Sequence, residues 1–163
     1  MVFGGTVLSV AALLDQAHAA PRSTPDSHVG LRHSAAANAA RCAELIAAGN
    51  DLSDSWRFGV LQTLDDYTST LRRGGTQLAA QVFTEAPAPT GSKEIDAAFA
   101  ALADHLAQRD GWNTPGWALE PNRAANRWFP SVPTIFRAAA ERESPRAFRR
   151  RGIFITRDSL ARA

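Results

Sequence analysis

Apolar residues recur at intervals of three and four along most of the chain, the spacing of helices rather than strands. Residues 31–48 form an alanine-rich stretch with larger apolar groups at Cys42, Leu45 and Ile46, and Gly49-Asn50 supplies a left-handed stop. Ser53 is placed to cap a second helix. Its apolar positions Trp56, Val60, Leu64, Tyr67 and Leu71, widened by Leu61, make one stripe. Arg72 and Arg73 suit its negative end, and Gly74-Gly75 stops it. Residues 76–83 predict a short further helix before the Pro-rich hinge 86–91. Ser92 then caps a helix over 93–109, with Glu94 in the first turn, Ile95, Phe99, Leu102 and Leu106 on one face, and Asp110-Gly111 as its close.

Beyond Gly111 the texture changes. Trp112-Asn-Thr-Pro-Gly-Trp117 and Arg127-Trp128-Phe129-Pro130 gather three of the four tryptophans, and Pro115, Pro121, Pro130 and Pro133 break regular structure between them. Ser131 is placed to cap a helix reaching residue 140, with Ile135 and Phe136 on its core face. Ser144-Pro145 reads as an N-cap followed by proline at the first helical position, where a missing N–H costs nothing. That short helix carries Phe148 and Arg149-Arg150-Arg151 and ends at Gly152. Ile153-Phe154-Ile155 is a minimal strand, and Thr156 with Asp158 starts a last helical turn through Leu160. The expected fold is therefore all-α: an irregular helical bundle with a Trp/Pro-rich segment and at most one minimal strand near the C-terminus.

With 45% apolar and 21% charged residues, the chain can bury a core and is long enough for one ordinary domain. It has 32 alanines, which favour helix, and a single lysine, Lys93, so arginine carries nearly all the positive charge. One cysteine, Cys42, excludes an internal disulfide and a Cys-cluster metal site. No stretch approaches the roughly 20 apolar residues of a membrane span, and a cytoplasmic location is expected. Residues 2–14 are apolar, and Ala17-His18-Ala19 looks like a cleavage site, but a secretory signal would need a positive start and no Lys or Arg precedes Arg22. Residues 1–30 read instead as an apolar piece and a Pro/Ser linker, the piece being either packed on the body or the end of an upstream element. Residues 31–163 read as one helical domain.

Net charge is only +2, but its distribution is uneven. From Arg137 onward eight arginines face three acids, Glu141, Glu143 and Asp158, so that stretch carries +5 and the rest −3. Such asymmetry implies an anionic partner for the tail or an acidic surface of the same fold. Aromatic stacking residues are not interleaved with these arginines, which favours a protein surface over nucleic acid.

Residues for catalysis are sparse. His18, His28, His33 and His105 lack a second ligand at i+3 or i+4, so no metal is expected. Cys42 sits on an alanine-rich helix, the setting of a small core residue rather than a reactive thiol. Asp65-Asp66 and Asp104-His105 are adjacent helical positions that do not face each other. No phosphate-binding or nucleophile-elbow motif is present. An enzyme would have to draw on Asp104, His105 or Cys42 in a pocket formed only by folding. Neither a catalytic residue nor a cofactor is expected.

The tryptophans and arginines of the C-terminal third have two readings. Tryptophans anchor an irregular segment to a core through large buried faces, and together with arginine they also make binding hot spots. Consecutive helical residues turn by about 100°, so Arg149, Arg150 and Arg151 cannot all meet one ligand, and at least one should pair with Glu141, Glu143 or Asp158. Trp112, Trp117, Trp128, Arg146, Arg149, Arg150 and Arg151 are the candidate partner-binding residues.

Trp112-x-x-Pro-Gly-Trp117-Ala, Trp128-Phe129-Pro130 and above all Glu143-Ser-Pro-Arg-Ala-Phe-Arg-Arg-Arg-Gly-Ile-Phe-Ile155 with its closing Ser159-Leu160 carry a resemblance. Over residues 40–163 the chain resembles small helical proteins of high-GC bacteria that are encoded beside a nucleotidyltransferase-like toxin and regarded as its antitoxin. Some of these carry a DNA-binding helix-turn-helix in front, and no such pattern precedes residue 31 here. The resemblance implies a non-enzymatic protein that neutralises a cognate toxin, encoded by a neighbouring gene, by direct binding. The alternative is a nucleic-acid-binding transcriptional regulator using the C-terminal arginines.

Overall fold

The computed structural model describes residues 9–11, 31 and 33–161. The chain divides after Gly30, and the unit Leu31–Ala163 holds the helical body. The apolar piece and linker expected over 1–30 lie outside the described residues, except for 9–11. The fold of the second unit is all-α. Its elements are α1 (Ala35–Ala47), α2 (Leu52–Ser55), a π-helical turn (Trp56–Leu61), α3 (Gln62–Ala80), α4 (Lys93–Asp110), α5 (Arg137–Glu143) and α6 (Arg146–Arg149), with 3₁₀ turns at Gln81–Phe83, Gly116–Leu119, Thr134–Phe136 and Arg157–Leu160.

Local chemistry sets most of these boundaries. Helix α1 starts later than its composition suggests because Ser34, in extended backbone, accepts the Ala37 N–H at 3.1 Å. It stops at Gly49, at φ +82°, where the Gly49 and Asn50 N–H groups close onto Ile46 and Leu45 carbonyls. The next cap is Asp51 rather than the expected Ser53: its carboxylate accepts the Ser53 N–H at 2.8 Å. In α3 Gly75 adopts φ +74°, so the helix breaks at the expected glycine pair and resumes toward Ala80.

The π-helical turn is the departure in the first half. Widening the helix by a residue leaves Gly59 facing the Cys42 thiol and lets Trp56, Val60 and Leu61 all enter the core. The Gly59 carbonyl takes the Thr63 hydroxyl at 2.8 Å. A Cβ on Gly59 would lie 2.0 Å from Cys42 Sγ and 3.5 Å from Phe99 Cζ. Gly59→Ala is therefore expected to destabilise by about 2 kcal/mol, the cost of overpacking exceeding the roughly 1 kcal/mol that alanine gains over glycine in a helix. Urea unfolding checks this. Adding Cys42→Ala should recover much of the loss, and a strictly additive double mutant would refute the contact.

Helix α4 is the hub. Ser92 caps it and Gly111, at φ +76°, ends it, both as expected. The expected single apolar face is too narrow, however: Ile95, Phe99, Leu102, Leu106 and every alanine from Ala97 to Ala107 are buried, so the helix is covered nearly all round. Small side chains permit this by letting neighbouring backbones approach on several sides.

The Trp/Pro segment wraps the hub. Trp117 is buried, with its indole N–H on the Phe83 carbonyl at 3.0 Å. Trp112 stacks on Phe83 and donates to the Tyr67 hydroxyl at 2.9 Å, which in turn donates to Asp110 at 2.6 Å. Burial first, and then the Asp110 hydrogen bond, push the Tyr67 phenol up to about 12. Trp128 meets Trp56 edge-on at 5.9 Å. The minimal strand shrinks to one parallel bridge, Trp128 to Ile153.

Two expected details are corrected here. Ile135 and Phe136 do not enter the core: they are 81% and 52% exposed. Pro133 delays the helix to a 3₁₀ turn at Thr134–Phe136, Ser131 sits at φ +52° and caps nothing, and α5 buries only Ala140. Ser144 does not cap α6. Its hydroxyl bridges the Ala140 carbonyl at 2.6 Å and the Ile155 N–H at 2.8 Å, tying the last segment to α5.

Candidate functional site

The arginine triplet begins at the last residue of α6 and runs on past it, and the helix is anchored by the buried Phe148. The helical turn sends its three side chains apart, as their spacing demands. Arg149 and Arg150 stay exposed, whereas Arg151 turns inward and is only 5% exposed. Its counter-charge is none of the three expected acids. Arg151 Nη1 donates to Asp104 Oδ2 at 2.8 Å and to the Ala147 carbonyl at 2.8 Å, and Nη2 donates to the Ala118 carbonyl. Arg150 reaches the same Asp104 oxygen at 3.3 Å. The other Asp104 oxygen takes Gln108 at 2.8 Å and Thr114 at 3.3 Å.

Burial alone would raise the Asp104 carboxyl, but the hydrogen bonds from Arg151 and Gln108, with the charges of Arg151 and Arg150, hold it below its ordinary range. Burial also draws the Arg151 guanidinium down, opposed by Asp104. The pair is thus an internal tie between α4 and the C-terminal turn.

Beside it opens a cleft of about 180 Å³, walled by Leu119, Glu120, Pro121, Arg123, Ala124, Arg150 and Arg151. Arg123 is held flat over the Trp117 ring at 5.0 Å, donates to the Pro87 carbonyl at 2.7 Å, and meets Glu120 at 3.4 Å. Glu120 is half-exposed. The cleft therefore joins residues from the Trp/Pro segment to the arginine turn.

Away from the cleft the chain exposes both charge and apolar surface. Arg137, Arg142, Arg146 and Arg149 are exposed, and among the described residues no ion pair engages Arg146 or Arg149. Arg127 pairs with Glu141, which removes one of the expected acids from the triplet's reach. Phe129 stacks on Phe154 at 5.2 Å under Arg137, at 5.1 Å. Ile135 and Phe136 stand out beside these groups in the chain.

The candidate partner-binding set therefore divides. Arg146, Arg149 and Arg150 are at the surface. Trp117 and Arg151 are withdrawn from it, the indole held by the Phe83 carbonyl and the guanidinium by Asp104 of the hub. Trp112 and Trp128 are half-buried, with faces already taken by Phe83 and Trp56. Sequence reasoning missed Arg123, Ile135 and Phe136 as surface-forming residues, and Asp104 as a partner. Asp104 had a signal: it falls on the Ala97–Ala101 stripe of α4 at helical spacing, an acid at a core position that requires a cation.

The remaining reactive groups are packed or hydrogen-bonded within the fold. Burial pushes the Cys42 thiol up to about 11. His105 packs edge-on against Phe148 at 6.0 Å, and burial lowers its pKa. Asp66 accepts from Asn38 and Gln62. Among the described residues no three His, Cys, Asp or Glu side chains converge to hold a metal ion, and no helix is long and apolar enough to cross a membrane. Compared with protein-family models, with curated proteins and with solved structures, the chain matches none of them.

Proposed function

We propose that this chain is an antitoxin that binds and neutralises a nucleotidyltransferase-like toxin encoded by a neighbouring gene, acting in the cytoplasm and turning over no substrate. The observation that carries the reading is the exposed pair Ile135 and Phe136, followed along the chain by exposed Arg137, Arg142, Arg146 and Arg149. Apolar anchors with flanking cations are the composition of a binding hot spot with electrostatic steering. A toxin that handles nucleoside triphosphates through metal-binding carboxylates presents an acidic cleft of matching sign, and an arginine-bearing helix seated there would block it. The C-terminal resemblance to antitoxins points the same way.

Co-expression with the product of the adjacent gene tests this, with copurification and restored growth as the expected results. Absence of both overturns it. Because Ile135 and Phe136 are exposed, Ile135→Ser with Phe136→Ser should leave the fold intact and weaken the complex by about 30-fold or more. Arg146→Glu with Arg149→Glu should chiefly slow association and remove its salt dependence. A DNA mobility shift that collapses steeply with salt would favour the regulator reading instead.

A further inference from the structure

We propose that the cleft beside the Arg151–Asp104 pair is a binding site for a phosphate group, free or as the terminal group of a small monoester. The inference does not depend on the antitoxin reading. Three arginines, Arg123, Arg150 and Arg151, line one depression, and two carboxylates pair with them there. Asp104 is committed: both its oxygens are taken, and it is buried. Glu120 is half-exposed and meets Arg123 at a loose 3.4 Å, so it is free to swing outward. With Glu120 displaced, the cleft holds three cations against one buried anion.

The donors are pre-set. Arg123 has a side chain only 10% exposed and is clamped by the Trp117 face and the Pro87 carbonyl. Arg151 spends three hydrogen bonds on Asp104, Ala147 and Ala118, leaving two of the five N–H groups of a guanidinium without a protein acceptor among the described residues. Holding such forks in place beforehand removes the ordering cost that weakens ordinary surface arginines, and planar guanidinium groups match phosphate oxygens bidentately. The size selects the ligand. About 180 Å³ is below the roughly 300–1,000 Å³ of sites for drug-sized molecules, so a phosphate group fits and its organic remainder would leave past Leu119.

Isothermal titration of the full chain with inorganic phosphate, glycerol phosphate and acetate, at fixed ionic strength and pH 7.5, tests the site. Saturable phosphate binding with a Kd between about 10 µM and 1 mM is expected, with acetate at least about tenfold weaker, since a carboxylate carries one charge against nearly two. Similar affinity for both phosphates identifies the phosphate group itself as the ligand, whereas tighter binding of the monoester identifies the ester as the better fit. Glu120→Gln should tighten binding about two- to fivefold by removing the competing anion, and Arg150→Gln should weaken it by about fivefold or more. Arg149→Gln, outside the cleft, should change it less than twofold. In ¹⁵N spectra the Arg123 and Arg151 Nε–H signals should shift on titration, which reports the site whether or not a variant folds well. Absence of saturable binding, equal response to acetate, or an Arg149→Gln loss matching that of Arg150→Gln would each overturn the proposal.

Discussion

Asp104→Asn is expected to cost about 3–5 kcal/mol of folding stability, a large part of the roughly 5–15 kcal/mol that holds a domain together. The substitution keeps the shape but removes the charge facing Arg151, whose side chain is 5% exposed and reaches Asp104 at 2.8 Å. At 2% exposure Asp104 is equally shielded from water, so solvent screening offers little relief. Arg150 at 3.3 Å makes matters worse, since a second cation then faces the first with no anion between them. Chemical unfolding measures the loss, and a drop of less than about 1 kcal/mol would show the pair to be unimportant. Replacing both partners by apolar groups, as Asp104→Leu with Arg151→Met, should recover most of the loss, because well-packed apolar groups often equal a buried ion pair. The same pair sets an acid limit. With the Asp104 carboxyl held below its ordinary 3.8, its contribution is complete above that value and disappears as pH falls through the lower folded-state value. Wild-type protein should therefore lose stability on acidification below about pH 4 more steeply than the Asp104→Asn variant.

Gly152→Ala should cost about 2–5 kcal/mol or open the C-terminal seam outright. Gly152 lies at φ +74°, where a side chain costs about 1–2 kcal/mol. An added Cβ would also stand 2.3 Å from the Ala125 carbonyl oxygen and 3.2 Å from the Arg127 nitrogen. Both are backbone atoms and cannot rotate away, which adds about 1–3 kcal/mol of overpacking. Three hydrogen bonds depend on this approach: Ala125 N–H to the Arg151 carbonyl at 2.9 Å, Trp128 N–H to Gly152 at 2.7 Å, and Phe154 N–H to Trp128 at 2.8 Å. Amide exchange at Trp128 and Phe154 should accelerate even if the rest of the domain stays folded. Gly116→Ala, with no atom within 4 Å of its added carbon, is the control and should be nearly neutral. Equal behaviour of the two variants would dismiss the close approach.

Asp104→Asn acts through its partner Arg151 and Gly152→Ala at the next residue, so both bear on one turn and on the surface above it. Arg151 pins the turn to α4, and Gly152 lets it close against the Trp/Pro segment. The cleft of Arg123 and Arg150 is the opening left between those attachments. A variant that loosens either should lose cleft geometry before it loses helical content.

Features governed by a few neighbouring residues were legible from the chain. The Ser92 cap, the Gly111 and Gly49 stops, the break at the Gly74-Gly75 pair, the helical class and the cationic C-terminal end all follow from short-range patterns. Each depends on a side chain meeting backbone within one turn, or on summed charge, and neither needs knowledge of the rest of the molecule. Where several short-range solutions compete, the boundary is fixed only to within a residue or two, as where Asp51 caps in place of Ser53.

What only the tertiary structure decided is which groups face inward. Trp117, open between core anchor and partner contact, and Arg151, one of three candidate surface arginines, are core, whereas Ile135 and Phe136, expected on a core face, are surface. The spacing of a helix marks the residues that share a face but not whether another element remains to cover that face. Here α4 takes up most of the available covering surface, and α5 is left with Ala140 alone against the body. Likewise the partner of Arg151 lies 47 residues away, a pairing set by where the two elements pack and invisible to any local rule. The chain alone determined its helical class, the ends set by Ser92 and by its glycines, and the sign of its tail, because those are short-range properties; folding chose the remaining ends and which of its arginines and aromatics remain available to another molecule.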